Sequence, residues 1–107
     1  MSPTQDGASP APGAVLVIGT GLIGTSVALA LAGQGRQVWL QDADAQALAV
    51  AVGRGAGLEG PPAEDPAVVI VAVPPLSSAS VIAGALRRYI NATVSDVAST
   101  KARLQAE

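Results

Sequence analysis

Apolar residues run along this chain in short blocks, broken by glycine, proline and polar residues, and the blocks are of two kinds. Residues 14–18 (AVLVI) are brief and β-branched and close on a glycine, the pattern of a strand covered on both faces of a parallel sheet. Residues 22–34 are longer and crowded with Leu, Ile, Val and Ala; Gly33 and Gly35 end them as a helix. Residues 37–41, with Val38, Trp39 and Leu40, read as a second strand, and the Ala-rich residues 43–52 as a second helix with Asp42 or Asp44 as its N-cap. Gly53, Gly55, Gly57, Gly60, Pro61 and Pro62 make a loop or an irregular edge segment. Residues 67–73 form the clearest strand and are stopped by Pro74 and Pro75. Ser77 and Ser78 are expected to cap a third helix reaching Tyr89, with Val81, Ile82, Leu86 and Tyr89 on its inner face. Residues 93–97 are a fourth strand, and Ser99 or Thr100 opens a last helix. Strands alternating with helices of this length define an α/β, Rossmann-type doubly wound parallel sheet.

Composition narrows the picture. The 107 residues suffice for one small domain: residues 1–13 are expected to be a disordered tail and residues 14–107 a dinucleotide-binding domain, incomplete at its C-terminal end. Half the residues are hydrophobic, but there is no Phe and only one Trp and one Tyr, so the core must be built from Val, Leu, Ile and Ala. The net charge is −2 and the six cations are scattered, which argues against a nucleic-acid or anionic membrane surface. The chain has neither Cys nor His, which excludes disulfides and argues against a zinc site. Its start lacks the basic and apolar parts of a secretory signal, and its apolar runs are too short to span a bilayer, so the expected location is the cytoplasm.

The chemistry lies at the ends of the strands. VIGTGLIGTS carries Gly19, Gly21 and Gly24 as a GxGxxG that leaves one expected strand and opens one expected helix. Gly19 permits the turn, Gly21 lets a pyrophosphate approach the backbone, and Gly24 lets helix and strand pack closely. Free N–H groups at the helix start face the phosphates, so no Lys is needed. The competing reading is a Gly-rich turn without a ligand. Asp42 follows Gly24 by 18 residues, near the spacing of about 20 that puts a carboxylate on the adenosine ribose. With no Lys or Arg close behind it, the expected cofactor is NAD rather than NADP; alternatively Asp42 merely caps the next helix. Val73, Pro74 and Pro75 form a stiff wall for the cofactor groove, or a simple strand stop. In VSDVASTK, Ser99 and Thr100 offer donors to a substrate or nicotinamide group, or serve as an N-cap, and Lys101 offers a partner for a substrate carboxylate or is merely solvated.

GTGLIGTSVALAL, VWLQD, VIVAVPP and VSDVASTK together resemble the cofactor domain of prephenate and arogenate dehydrogenases, over about residues 14 to 104. The resemblance implies oxidative decarboxylation of prephenate to 4-hydroxyphenylpyruvate, a step of tyrosine biosynthesis. It assigns the turn Gly19, Thr20, Gly21, Leu22, Ile23 and Gly24 to the pyrophosphate, Asp42 to the ribose, and Val73 and Pro74 to the cofactor's flank. Ser99 matches the Ser of the family's D-x-x-S-x-K motif, beside the nicotinamide and the substrate hydroxyl, where it orients a catalytic His. That His is absent here, as is the helical second domain that completes the substrate site and the homodimer. The chain alone is therefore expected to be inactive. Alternatives are the NAD domain of a β-hydroxyacid-type dehydrogenase and a non-catalytic dinucleotide-sensing module.

Overall fold

A computed structural model describes residues 13–97. In chain order they form β1 (Val15–Ile18), α1 (Leu22–Gly33), β2 (Val38–Gln41), α2 (Ala45–Gly53), β3 (Leu58–Glu59), β4 (Val68–Val71), α3 (Pro75–Arg88) and β5 (Thr93–Asp96). The strands make one sheet of order β3-β2-β1-β4-β5, and every neighbouring pair is parallel. The chain winds outward from β1 to β3, then crosses back to β4 and winds the other way, which is the doubly wound arrangement.

Side chains of β1 alternate between two cores, as a strand's period of two requires. Val15 and Val17 pack with Val38, Leu40, Ala28 of α1 and Ala51 of α2. Leu16 faces the opposite side, with Val69, Val71, Ala85 and Tyr89. The expectation of a strand apolar on both faces holds because helices cover both sides of the central strands. None of the helices among the described residues is long and apolar enough to cross a membrane.

Several boundaries differ from the sequence reading. The strand expected over residues 67–73 ends at Val71, level with Ile18 of β1, because β1 turns away at Gly19. Within the expected loop, Leu58 and Glu59 pair with Trp39 and Leu40 as a short edge strand. Ser77 and Ser78 do not cap α3: Pro74 is its N-cap and Pro75 opens it, a position that suits proline's fixed φ and missing N–H. The Ser78 hydroxyl instead donates to the Pro75 carbonyl. Leu86 does not join the inner face and is 53% exposed. Tyr89 is buried as expected, and Val81 and Ile82 pack against the same core; Ser78 and Ala85, spaced by helical turns, take the place expected of Leu86. The helix expected from Ser99 or Thr100 lies outside the described residues.

Candidate functional site

The sheet register assembles the site. Ile18 pairs with Gln41 on one side and Val71 on the other, so Gly19, Asp42 and Ala72 leave three adjacent strands at one edge. Backbone bonds fix the exits: the Gly19 N–H donates to Gln41 O at 2.8 Å and the Ala72 N–H to Ile18 O at 2.8 Å. Here, between β1 and β4, the winding reverses and leaves a crevice.

Each glycine of the turn answers a different demand. Gly19 has φ of +103°, and a Cβ there would lie 2.6 Å from the Ala72 carbonyl oxygen. At Gly24 an added Cβ would overlap the carbonyl oxygen of Gly19 and press on Ala72 Cβ at 3.3 Å. A Cβ at Gly21, in contrast, would meet no atom within 4 Å. The surface above Gly21 is thus open, whereas Gly19 and Gly24 are hemmed in by the turn itself.

Gly21 is also the N-cap of α1, and no side chain caps that end. The first N–H groups of a helix have no partner within it, and its dipole favours an anion there. The start of α2 is different: Asp44 Oδ1 accepts from the N–H groups of Gln46 at 3.0 Å and Ala47 at 3.2 Å. Asp44 is therefore the cap of α2, and Asp42 is left for another task.

The Asp42 carboxylate is held by three donors. Its Oδ2 accepts from the Thr20 N–H at 2.6 Å and the Thr20 hydroxyl at 2.7 Å, and its Oδ1 from the Asp44 N–H at 2.8 Å. Burial pushes its pKa up, but the bonds from Asp44 N–H, Thr20 N–H and the Thr20 hydroxyl outweigh that and hold it below the ordinary 3.8. Thr25 closes the network by donating to Thr20 O at 2.9 Å.

These parts border a groove of about 1030 Å³. Its floor is Gly19 and Gly21, one wall is Leu22 and Ile23 of α1 with Asp42, and the other is Ala72, Val73 and Pro74. Of the residues singled out in sequence, Gly19, Gly21, Leu22, Ile23, Asp42, Val73 and Pro74 come together here. Gly24 lies buried behind the turn and Thr20 beneath Asp42. Ser99 falls outside the described residues; Asp96, which begins its motif, ends β5, paired with Val71 of β4. Pro75, expected with Val73 and Pro74 as a wall of the groove, lines it too; Ser26, Val27 and Ala47 went unnoticed in sequence, and Asp44 was expected only as a cap or a solvated charge. Helical spacing places Ser26 one turn beyond Leu22 on α1, while Ala47 is brought in only by the packing of α2.

A parallel sheet of this order, with an uncapped glycine turn and a fixed acid at its switch point, defines a dinucleotide-binding domain of the Rossmann type. The comparisons with known proteins agree. The family model described as "NADP oxidoreductase coenzyme F420-dependent" matches residues 14–98, and the chain belongs to that family. It is 41% identical over 92 residues to "Probable prephenate dehydrogenase NovF" of Streptomyces niveus. That match covers 86% of this chain and 25% of the relative, so the chain spans about a quarter of the relative's length. No solved structure matches significantly. The chain is an NAD(P)-binding domain related to prephenate dehydrogenase, in keeping with the motifs read from its sequence.

Proposed function

We propose that this chain is the NAD-binding part of a dehydrogenase that oxidatively decarboxylates prephenate or its amino counterpart arogenate. The observation that carries the cofactor choice is the pinned Asp42 carboxylate at the end of β2, on the groove and with no Lys or Arg beside it among the residues lining that groove. A carboxylate accepts hydrogen bonds from the ribose hydroxyls and repels a 2′-phosphate. The cradle fits the rest of the molecule. The open backbone above Gly21 and the uncapped start of α1 suit a pyrophosphate, and Val73 and Pro74 offer an apolar flank. Once bound, the nicotinamide supplies the acceptor for the hydride that the substrate gives up.

The substrate reading rests on the likeness to prephenate dehydrogenase and on Asp96, Ser99 and Lys101 in the D-x-x-S-x-K pattern. Ser99 is assigned the place beside nicotinamide and substrate hydroxyl. β5 runs parallel to β4 and so heads toward the groove's edge of the sheet. The histidine this chemistry calls for is absent from the chain. The substrate half and the dimer contacts are assigned to the remainder of a longer protein.

The test is calorimetric titration of the chain with NAD⁺ and NADP⁺, beside Asp42→Ala. Tighter NAD⁺ binding, weakened about tenfold or more in the variant, is the expected result. Equal binding of the two dinucleotides, unchanged by Asp42→Ala, overturns the NAD assignment.

A further inference from the structure

One side chain of the turn assigned to the pyrophosphate is engaged elsewhere. Thr20 is only 5% exposed, and buried polar groups are retained where they are bonded. Both of its donors, hydroxyl and N–H, go to the same oxygen, Asp42 Oδ2. A carboxylate offers about four acceptor positions, two on each oxygen. Thr20 fills both on Oδ2, and the Asp44 N–H fills one on Oδ1. A single position, on Oδ1, remains open.

We propose that Thr20 is a positioning residue that sets the choice of dinucleotide: its hydroxyl locks the Asp42 carboxylate so that Oδ1 meets the ribose and the group cannot turn aside for a 2′-phosphate. The proposal rests on the reading of the groove as a dinucleotide site. Its physical basis is the softness of the bond being held. The terminal torsion of an aspartate is broad and roughly two-fold, so an exposed carboxylate rotates readily. Two donors on one oxygen and a third on the other remove that freedom before a ligand arrives. A ligand with a ribose hydroxyl gains from the preorganisation. A ligand with a 2′-phosphate meets a negative charge that is held in place. A Thr20 that merely stitched the β1–α1 turn to the end of β2 would affect stability alone and treat both dinucleotides alike.

The experiment compares the full chain with Thr20→Val, which keeps the shape and loses the hydroxyl, and Thr20→Ser, which keeps the hydroxyl. Thr20→Ala is the second hydroxyl-free variant should Val at this turn fail to fold. Affinities for NAD⁺ and NADP⁺ are measured by calorimetry, and the Asp42 carboxyl is titrated by NMR without ligand. In Thr20→Val the NAD⁺ affinity is expected to fall roughly tenfold while that for NADP⁺ holds or rises. Asp42 is expected to titrate at higher pH in that variant, and Thr20→Ser to restore both readouts. Equal losses for the two dinucleotides, or an unmoved Asp42 titration, overturn the proposal alone. A folded wild-type chain that binds neither dinucleotide overturns it together with the groove reading.

Discussion

Gly24 and Asp42 show how single atoms govern this site. At Gly24 the obstacle to a side chain is backbone, the carbonyl of Gly19, and Gly19 itself is held by its positive φ and by the Ala72 carbonyl. Nothing there can rotate away. Gly24→Ala is expected to destabilise the domain by about 3 kcal/mol, read as a lower urea midpoint with an unchanged slope. Asp42 carries the opposite kind of information, in charge rather than space. Its folded pKa is lowered, so its contribution to stability is complete above the unfolded value near 3.8 and is lost as pH falls through the folded value. Asp42 is thus anionic across the neutral and mildly acidic range. The preference for NAD⁺ over NADP⁺ is expected to narrow near about pH 6, where a phosphate monoester takes up its second proton. Calorimetry on either side of that pH checks this; a preference that persists through that range and is lost only once Asp42 takes up its proton, below its ordinary value, would tie it to the carboxylate instead. The glycines and Asp42 were legible in the sequence because their spacing repeats a known geometric demand. The Thr20–Asp42 bond was not, because 22 residues separate the partners and only the register of β1 on β2 joins them.

At the scale of elements, ends were harder to read than middles. α1 stops in a Schellman turn: the Gly35 N–H donates to Ala32 O and the Arg36 N–H to Leu31 O, with Gly35 at φ +82°. An L-residue there bears a steric cost, so Gly35→Ala is expected to destabilise by about 1–2 kcal/mol. Gly33, inside the last turn with no atom near its absent Cβ, is the control: Gly33→Ala is expected to be stabilising by about 0.5–1 kcal/mol. Thermal melts of the two variants should move in opposite directions. The start of α3 was misplaced because Ser77 and Ser78 have the chemistry of caps, and the Pro74-Pro75 pair reads equally as a stop. Proline at the first helical position does both. Leu86 was misassigned because a helical wheel with several apolar positions has no unique inward direction. Ala85 is buried instead, and its small side chain lets α3 lie close to β4 and β5.

For the molecule as a whole, the consequence of the strand order is a groove at one edge of the sheet, where the winding reverses. The groove is assembled from the exits of β1, β2 and β4 with α1 and the starts of α2 and α3, all within residues 19–75. The proposed proton acceptor has no candidate in a chain without histidine. General-base catalysis typically contributes about 10²–10⁴-fold. The chain mixed with NAD⁺ and prephenate or arogenate is therefore expected to bind the dinucleotide and to yield no measurable NADH. Turnover by the chain alone would show that the hydroxyl proton leaves by another route.

The sequence by itself determined the fold class, the glycine turn and the acid. Each is a local matter: β-branched runs, helix stops and a spacing of a few residues carry their own steric and electrostatic logic. Tertiary structure decided which of two neighbouring aspartates caps α2 and which is held by Thr20. It decided where β4 ends, since that depends on where β1 turns away. Those outcomes depend on parallel strands meeting in one register, and hydrogen bonding between strands remote in sequence is settled only when the sheet has formed.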